Sequence, residues 1–273
     1  MGNVRGLVVF YGDAFEGVLL SLLEKEDLMQ ALLIGYGEVG KAVHHAWGGH
    51  HQFFIHDPYK GMSLPDPLPA FDVMLVTIPF SEDFIDIVKG YQASFEPQAT
   101  VILSTVPIGT SRNCQAVHSP IEALHRSGKM DEYLKVHPRW IGGINEVVVR
   151  FFNECNLRVK VCRKPDHTEF MKLASLAQYG IAIEFARYTG LMCGKMGLDH
   201  AAIREYDQDY NNLNTKMGVP GYQRSILTPP EGVIGGHCVL QNIEILSEQA
   251  MHPFLTSILS INDFLKQGGE LKE

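Results

Sequence analysis

The sequence predicts an α/β chain: a parallel-sheet domain, then a long helix and an all-helical domain. Three observations carry that reading. Short apolar runs alternate with helical stretches from residue 30 onward, a glycine-rich turn joins the first run to the first helix, and the pattern beyond residue 165 is helical throughout. Short strands alternating with helices indicate βαβ units and a parallel sheet.

The strand candidates are Ala31–Ile34, Phe53–Ile55, Val73–Thr77, Val101–Leu103, Arg139–Ile141 and Arg158–Cys162. Helices are predicted at Glu38–Trp47, Phe84–Tyr91 and Asn145–Cys155, the last capped by Asn145. A helix from Pro165 to about Lys195 follows, with apolar residues mostly at three- and four-residue steps. Further helices are expected at Ala201–Tyr210, Asn242–Ala250 and Pro253–Gln267. The domains are therefore placed at 29–164 and 165–273. Residues 1–28 stand apart as an extension of unknown role, with a strand candidate at Leu7–Phe10 and an amphipathic helix candidate at Ala14–Glu26.

Composition narrows the class. The 273 residues are 45% hydrophobic and 20% charged, which excludes collagen-like and disordered chains. The net charge of −8 argues against generic nucleic-acid binding. Five cysteines, an odd number without CxxC spacing, exclude a disulfide framework or zinc knuckle and favour a reducing, cytoplasmic setting. No apolar run approaches the roughly 18 residues of a membrane span, and no signal-peptide profile is evident. The histidines at 44, 45, 50 and 51 lack supporting cysteine or carboxylate spacing, so no metal is expected.

Chemistry concentrates in four motifs. Gly35-Tyr36-Gly37-Glu38-Val39-Gly40 follows a strand and opens a helix, and Asp57 ends the next strand about 20 residues on. That is the Rossmann-type dinucleotide fingerprint. Gly35 permits the turn, Gly37 a close approach of pyrophosphate, and Gly40 tight helix packing. The amides of Glu38 and Val39 lie at a helix N-terminus, which attracts phosphate. Asp57 can accept from ribose hydroxyls and would repel a 2′-phosphate, so NAD is favoured over NADP. The second motif, Ser104-Thr105-Val106-Pro107-Ile108-Gly109-Thr110, follows a strand; Ser104 and Thr105 are candidates for ribose, nicotinamide or substrate contact. The third, Gly235-Gly236-His237-Cys238, places a thiol beside close-approaching backbone at a helix start, where thiolate is favoured. The fourth is Lys172, a cation on an apolar helix face and a candidate oxyanion contact. Arg224 is a candidate anion contact and His125 a candidate site residue.

In this order, with Ser119-Pro120, Gly142-Gly143 and a Glu169-x-x-Lys172 helix, the motifs resemble the UDP-glucose/GDP-mannose dehydrogenase family, of the 6-phosphogluconate-dehydrogenase-like group. The resemblance covers about residues 29–250. It implies oxidation of a sugar-nucleotide alcohol to a carboxylate by two hydride transfers to NAD, in a homodimer joined through the helical part. It also implies that Cys238 is the nucleophile and Lys172 the oxyanion partner. Thr105 would lie near the nicotinamide, and Gly235, Gly236 and His237 would line the substrate.

The sequence departs from the family at several points. The family's acid after the cysteine is Asn242, and an amide cannot act as a general base. Leu176 stands where the family has Asn, and in Ser119-Pro120-Ile121-Glu122 the family's glutamate is absent or displaced by one position. The family's C-terminal nucleotide-sugar domain is not expected within this chain. His125 is a candidate replacement for the lost base. Two rivals follow: a two-electron β-hydroxyacid-type dehydrogenase using Lys172 alone, and a catalytically silent NAD-binding regulatory protein.

Overall fold

The computed structural model describes the backbone of residues 8–11 and residues 28–122, 128–234 and 238–268. The chain divides into two compact units, Met1–Lys172 and Leu173–Glu273, with the division inside one helix.

In the first unit, eight strands form one sheet: β1 (Val8–Tyr11), β2 (Gln30–Ile34), β3 (Gln52–His56), β4 (Val73–Val76), β5 (Ala99–Ile102), β6 (Val117–His118), β7 (Arg139–Gly142) and β8 (Val159–Cys162). Their spatial order is β1-β8-β7-β6-β5-β4-β2-β3. Every pairing is parallel except β6 with β7, which meet antiparallel at His118 and Gly142. The helices of this unit are α1 (Glu38–Trp47), α2 (Phe84–Phe95), α3 (Thr110–Asn113), α4 (Met130–Val136) and α5 (Glu146–Glu154).

The sheet is buried on both faces, as parallel sheets generally are. Side chains alternate: Ala31, Leu33, Val73, Leu75 and Val101 join Trp47, Phe151 and Phe152 on one face. Leu32, Ile34, Met74, Val76 and Ile102 join Phe71, Phe84 and Val88 on the other. Strand β2 lies between β3 and β4, so its connection and that of β4 leave in opposite directions. Such a divergence, beyond the carboxyl ends of β2 and β4, is where open α/β sheets take ligands.

Most predicted elements are present with shifted ends. The strand predicted at Leu7–Phe10 is Val8–Tyr11, and it is a true member of the sheet, paired in parallel with β8. The helix candidate at 14–26 lies outside the described residues. Asn145 caps α5 as expected, accepting from the Val148 amide at 3.1 Å. Helix α2 runs to Phe95, beyond the expected Tyr91. Three short elements have no counterpart among the predictions: α3, β6 and α4, each too short for a periodic signal.

Helix α6 (Pro165–Met196) crosses the division. The second unit adds α7 (His200–Lys216), α8 (Cys238–Gln249) and α9 (Pro253–Lys266), and among its described residues there is no strand. Ile243, Leu246, Leu255 and Ile258 are buried in this unit. Gly180 of α6 allows close packing, since a Cβ there would meet Ile243 Cδ1 at 2.7 Å.

Candidate functional site

The three glycines of the fingerprint do three different things. Gly35 has φ +89°, a conformation that side chains rarely adopt, and its amide donates to the His56 carbonyl at 3.0 Å. A Cβ on Gly40 would lie 2.2 Å from the Gly35 carbonyl oxygen, so only glycine lets α1 close onto the turn. Gly37 faces open space, with nothing within 4 Å of a Cβ built there. It is the N-cap of α1, and no side chain caps the helix. A helix start without a side-chain cap, fronted by open space, fits a pyrophosphate. Glu38 is exposed, while Val39 turns its side chain into the core and leaves its backbone at the turn.

Asp57 lies just after β3. Its Oδ2 accepts from the Tyr36 amide at 2.8 Å and sits 3.5 Å from Lys60 Nζ. The Tyr36 amide, then the Lys60 ammonium, hold its carboxyl below the usual carboxylate range. Lys60 also donates to the Tyr36 carbonyl at 2.5 Å. Thr77, after β4, secures the turn by donating to the carbonyls of Ile34 and Gly35 at 3.0 and 2.9 Å.

The loop after β5 is organised differently from the expectation. The Ser104 hydroxyl donates to the Ile78 carbonyl at 2.6 Å, tying the loops after β4 and β5 together. Its proton is thus committed to the protein, and what it can offer a ribose is an acceptor lone pair. Thr105 is half-buried. The amides of Gly109 and Ser111 donate to the Glu169 carboxylate at 2.6 and 2.7 Å. Glu169 is fully buried, and burial raises its pKa against the lowering effect of those amides.

Lys172 is buried, contrary to what an isolated lysine on a helix would suggest. Its Nζ donates to the Ile121 carbonyl at 2.7 Å and lies 3.4 Å from Glu122. Glu122 therefore reaches the lysine. Arg139 fixes the same segment: its Nη2 donates to the Ser119 carbonyl, the Ser119 hydroxyl and the Pro120 carbonyl at 3.0, 2.8 and 2.7 Å. Its guanidinium is fully buried, 5.4 Å from the ring centres of Trp47 and Phe152, and burial lowers its pKa to about 10. Sequence reasoning missed the role of Arg139. The signal was a charge heading an otherwise apolar strand. His125 lies outside the described residues.

In the second unit, Cys238 is the first residue of α8 and is half-buried; the other four cysteines are buried, and no disulfide joins any of the five. One turn on, Asn242 Nδ2 donates to the Cys238 carbonyl, and its buried Oδ1 has no hydrogen-bond partner among the described residues. Gly235, Gly236 and His237 lie outside the described residues. The approach to them is pinned twice: Arg187 donates to the Gly232 carbonyl at 2.7 Å, and Asn262 accepts from the Ile234 amide at 2.9 Å. Arg224 departs from the expectation of an anion contact. Its guanidinium pairs with Asp207 at 2.7 Å and lies 4.0 Å from the centre of the Tyr210 ring, so the protein itself supplies its anion.

Among the described residues, no three His, Cys, Asp or Glu are grouped to hold a metal, and no helix is long and apolar enough to cross a membrane.

The sequence matches no family model and no curated protein. Solved structures do match. A UDP-D-ManNAc dehydrogenase from Pyrococcus horikoshii is 16% identical, with TM-score 0.69 over 88% of this chain and 69% of that one. A 3-hydroxyisobutyrate dehydrogenase from Mycobacterium tuberculosis, solved with L-serine, is 11% identical, with TM-score 0.64 over 90% of this chain and 97% of that one. Psf3, solved with NADP+ and 2-OPP, is 15% identical, with TM-score 0.54 over 89% of this chain and 96% of that one. At these identities the likeness is one of fold: a Rossmann-like, mostly parallel sheet followed by a helical region.

Proposed function

We propose that the chain is an NAD-dependent oxidoreductase that oxidises an alcohol, with a sugar or sugar nucleotide as the favoured substrate class. The observation that supports this most is the turn at Gly37, where an opening in the protein meets a helix start without a side-chain cap, with Asp57 bounding the crevice. The likeness to two dehydrogenase structures, one of them acting on a UDP-sugar, and to Psf3 solved with NADP+, supports a nicotinamide-dependent oxidoreductase. When bound, the dinucleotide accepts a hydride. Gly37, Glu38 and Val39 would hold its pyrophosphate through backbone amides, and Asp57 its adenosine ribose.

Lys172, Thr105 and Cys238 are the proposed catalytic residues. The Lys172 ammonium would balance negative charge on the substrate oxygen. In a four-electron route the Cys238 thiolate adds to the aldehyde carbon, so the aldehyde stays bound until a second hydride leaves and a thioester forms; water then releases the carboxylate. The amide of Asn242 cannot take the proton of that water. This one observation favours a second reading, a two-electron oxidation that stops at the carbonyl. Buried thiols without disulfides support a reducing, cytoplasmic setting.

Calorimetry with NAD+ on the wild type and Gly37→Ala tests the reading. The alanine methyl meets no protein atom, so the melting temperature should hold, while affinity should fall at least about tenfold, which is about 1.4 kcal/mol. Equal affinity in the variant, or no binding by the wild type, overturns it.

A further inference from the structure

The inference concerns Lys60 and rests on the dinucleotide-binding reading above. Asp57 alone would reject a cofactor carrying a 2′-phosphate, because two anions would share one small crevice. Asp57 is not alone. It opens a tight turn: the amides of Lys60 and Met62 both donate to its carbonyl at 3.0 Å, its own amide donates to the Met62 carbonyl at 3.2 Å, and Gly61 closes the turn at φ +67°. Pro58–Lys60 form a single 3-10 turn inside it.

That turn returns the Lys60 side chain over its own beginning. The ammonium rests 2.5 Å from the Tyr36 carbonyl and 3.5 Å from Asp57 Oδ2. One cation therefore touches both the glycine-rich turn and the acid of the crevice. Its side chain is 44% exposed, against 11% for Asp57, so the ammonium is the more accessible of the two charges. Lysine is a compact charge on a flexible stem, able to pivot towards an incoming anion without moving the backbone.

We propose that Lys60 is a specificity-determining residue of the cofactor site, which narrows the discrimination against a 2′-phosphorylated dinucleotide that Asp57 would otherwise impose. A phosphate arriving at the ribose end meets an ion pair of no net charge in place of a bare carboxylate. An unphosphorylated ribose needs only the acceptor oxygens of Asp57 and is nearly indifferent to the lysine.

The test is calorimetric, with NAD+ and NADP+ as probes and the ratio of their dissociation constants as the readout. Lys60→Gln should raise the NADP+ to NAD+ ratio about two- to fivefold, the size expected of one partly exposed charge. The rise should come from weaker NADP+ binding. Lys60→Arg should keep the wild-type ratio, and Asp57→Asn should lower it. A ratio unchanged or lowered in Lys60→Gln overturns the assignment while leaving the dinucleotide reading intact. Binding of neither cofactor by the wild type overturns both.

Discussion

His118 Nδ1 lies 2.9 Å from the Thr168 hydroxyl, which joins strand β6 to the first turn of α6 inside a fully buried site. The other ring nitrogen is 3.3 Å from the Ser104 carbonyl, which can only accept. The tautomer that satisfies both carries its proton on Nε2 and takes the threonine proton on Nδ1. Burial, with Arg139 and Lys172 nearby, lowers the pKa of this imidazole to about 3.

Acid should therefore destabilise the protein through His118. The unfolded histidine titrates near 6.5 and the folded one near 3, so between those values the unfolded chain holds the extra proton. Stability contributed by the neutral ring is present above 6.5 and is lost as pH falls, by about 1.4 kcal/mol per unit. Urea unfolding between about pH 4.5 and 6.5 should show a steeper slope for the wild type than for His118→Gln, by about one proton. Equal slopes would mean that His118 is not held neutral.

Cys238 should be the reactive thiol. Burial raises the pKa of Cys114 to about 11 and pushes those of Cys155 and Cys162 upward, while Cys238 alone is half-buried at a helix start. Iodoacetamide at mild alkaline pH should label one site quickly by peptide mass, and Cys238→Ser should abolish that fast phase. With a substrate in hand, the same variant should stop after one NADH and release aldehyde, and Asn242→Asp should not impair turnover. A Cys238→Ser enzyme that still yields two NADH per substrate would exclude the covalent route.

A chain beginning at Met29 should be less stable yet still bind dinucleotide. It loses β1, whose Val8–Tyr11 pairs with Val159–Cys162, and leaves β8 as an open edge. The Gly37 turn and Asp57 belong to β2 and β3, at the other end of the sheet. Calorimetric scanning should show a lower melting temperature, with about 2–4 °C lost for each kcal/mol. An unchanged melting temperature would show that the strand contributes nothing to the sheet's stability.

The helical unit should pair with a second copy. Phe185, Tyr188 and Met196 on α6, with Tyr206 and Leu213 on α7, are exposed in the single chain. Large apolar side chains exposed along two consecutive helices are the kind of surface a second copy can cover. Light scattering at micromolar concentration should report a homodimer, and Phe185→Glu should shift it towards monomer. A monomeric wild type would count against pairing.

Local pattern was enough for much of this protein. The run of apolar residues at 31–34, the glycines at 35, 37 and 40, and the helix from 38 to 47 are each set by neighbouring residues, so their form was legible in sequence. So was the cap at Asn145, which needs only a residue three positions on. The ends of strands were less legible, because pairing partners decide where a strand stops.

Long-range contacts decided the rest. That β2 sits between β3 and β4, and that β1 pairs with β8, depends on partners far along the chain that no periodicity specifies. The same holds for the charges. Lys172, Glu169 and Arg139 belong to residue types that are rarely buried, and they are buried here because Ile121, Gly109, Ser111 and Ser119 supply their hydrogen bonds. Ser104 reads in sequence as a ligand contact, and its hydroxyl proton goes to the Ile78 carbonyl. Arg224 reads as an anion site but already holds Asp207. Sequence determined which chemical groups are present and the local turn that presents them; tertiary structure decided the partners of each group, because which donors and acceptors meet depends on residues far apart in the chain.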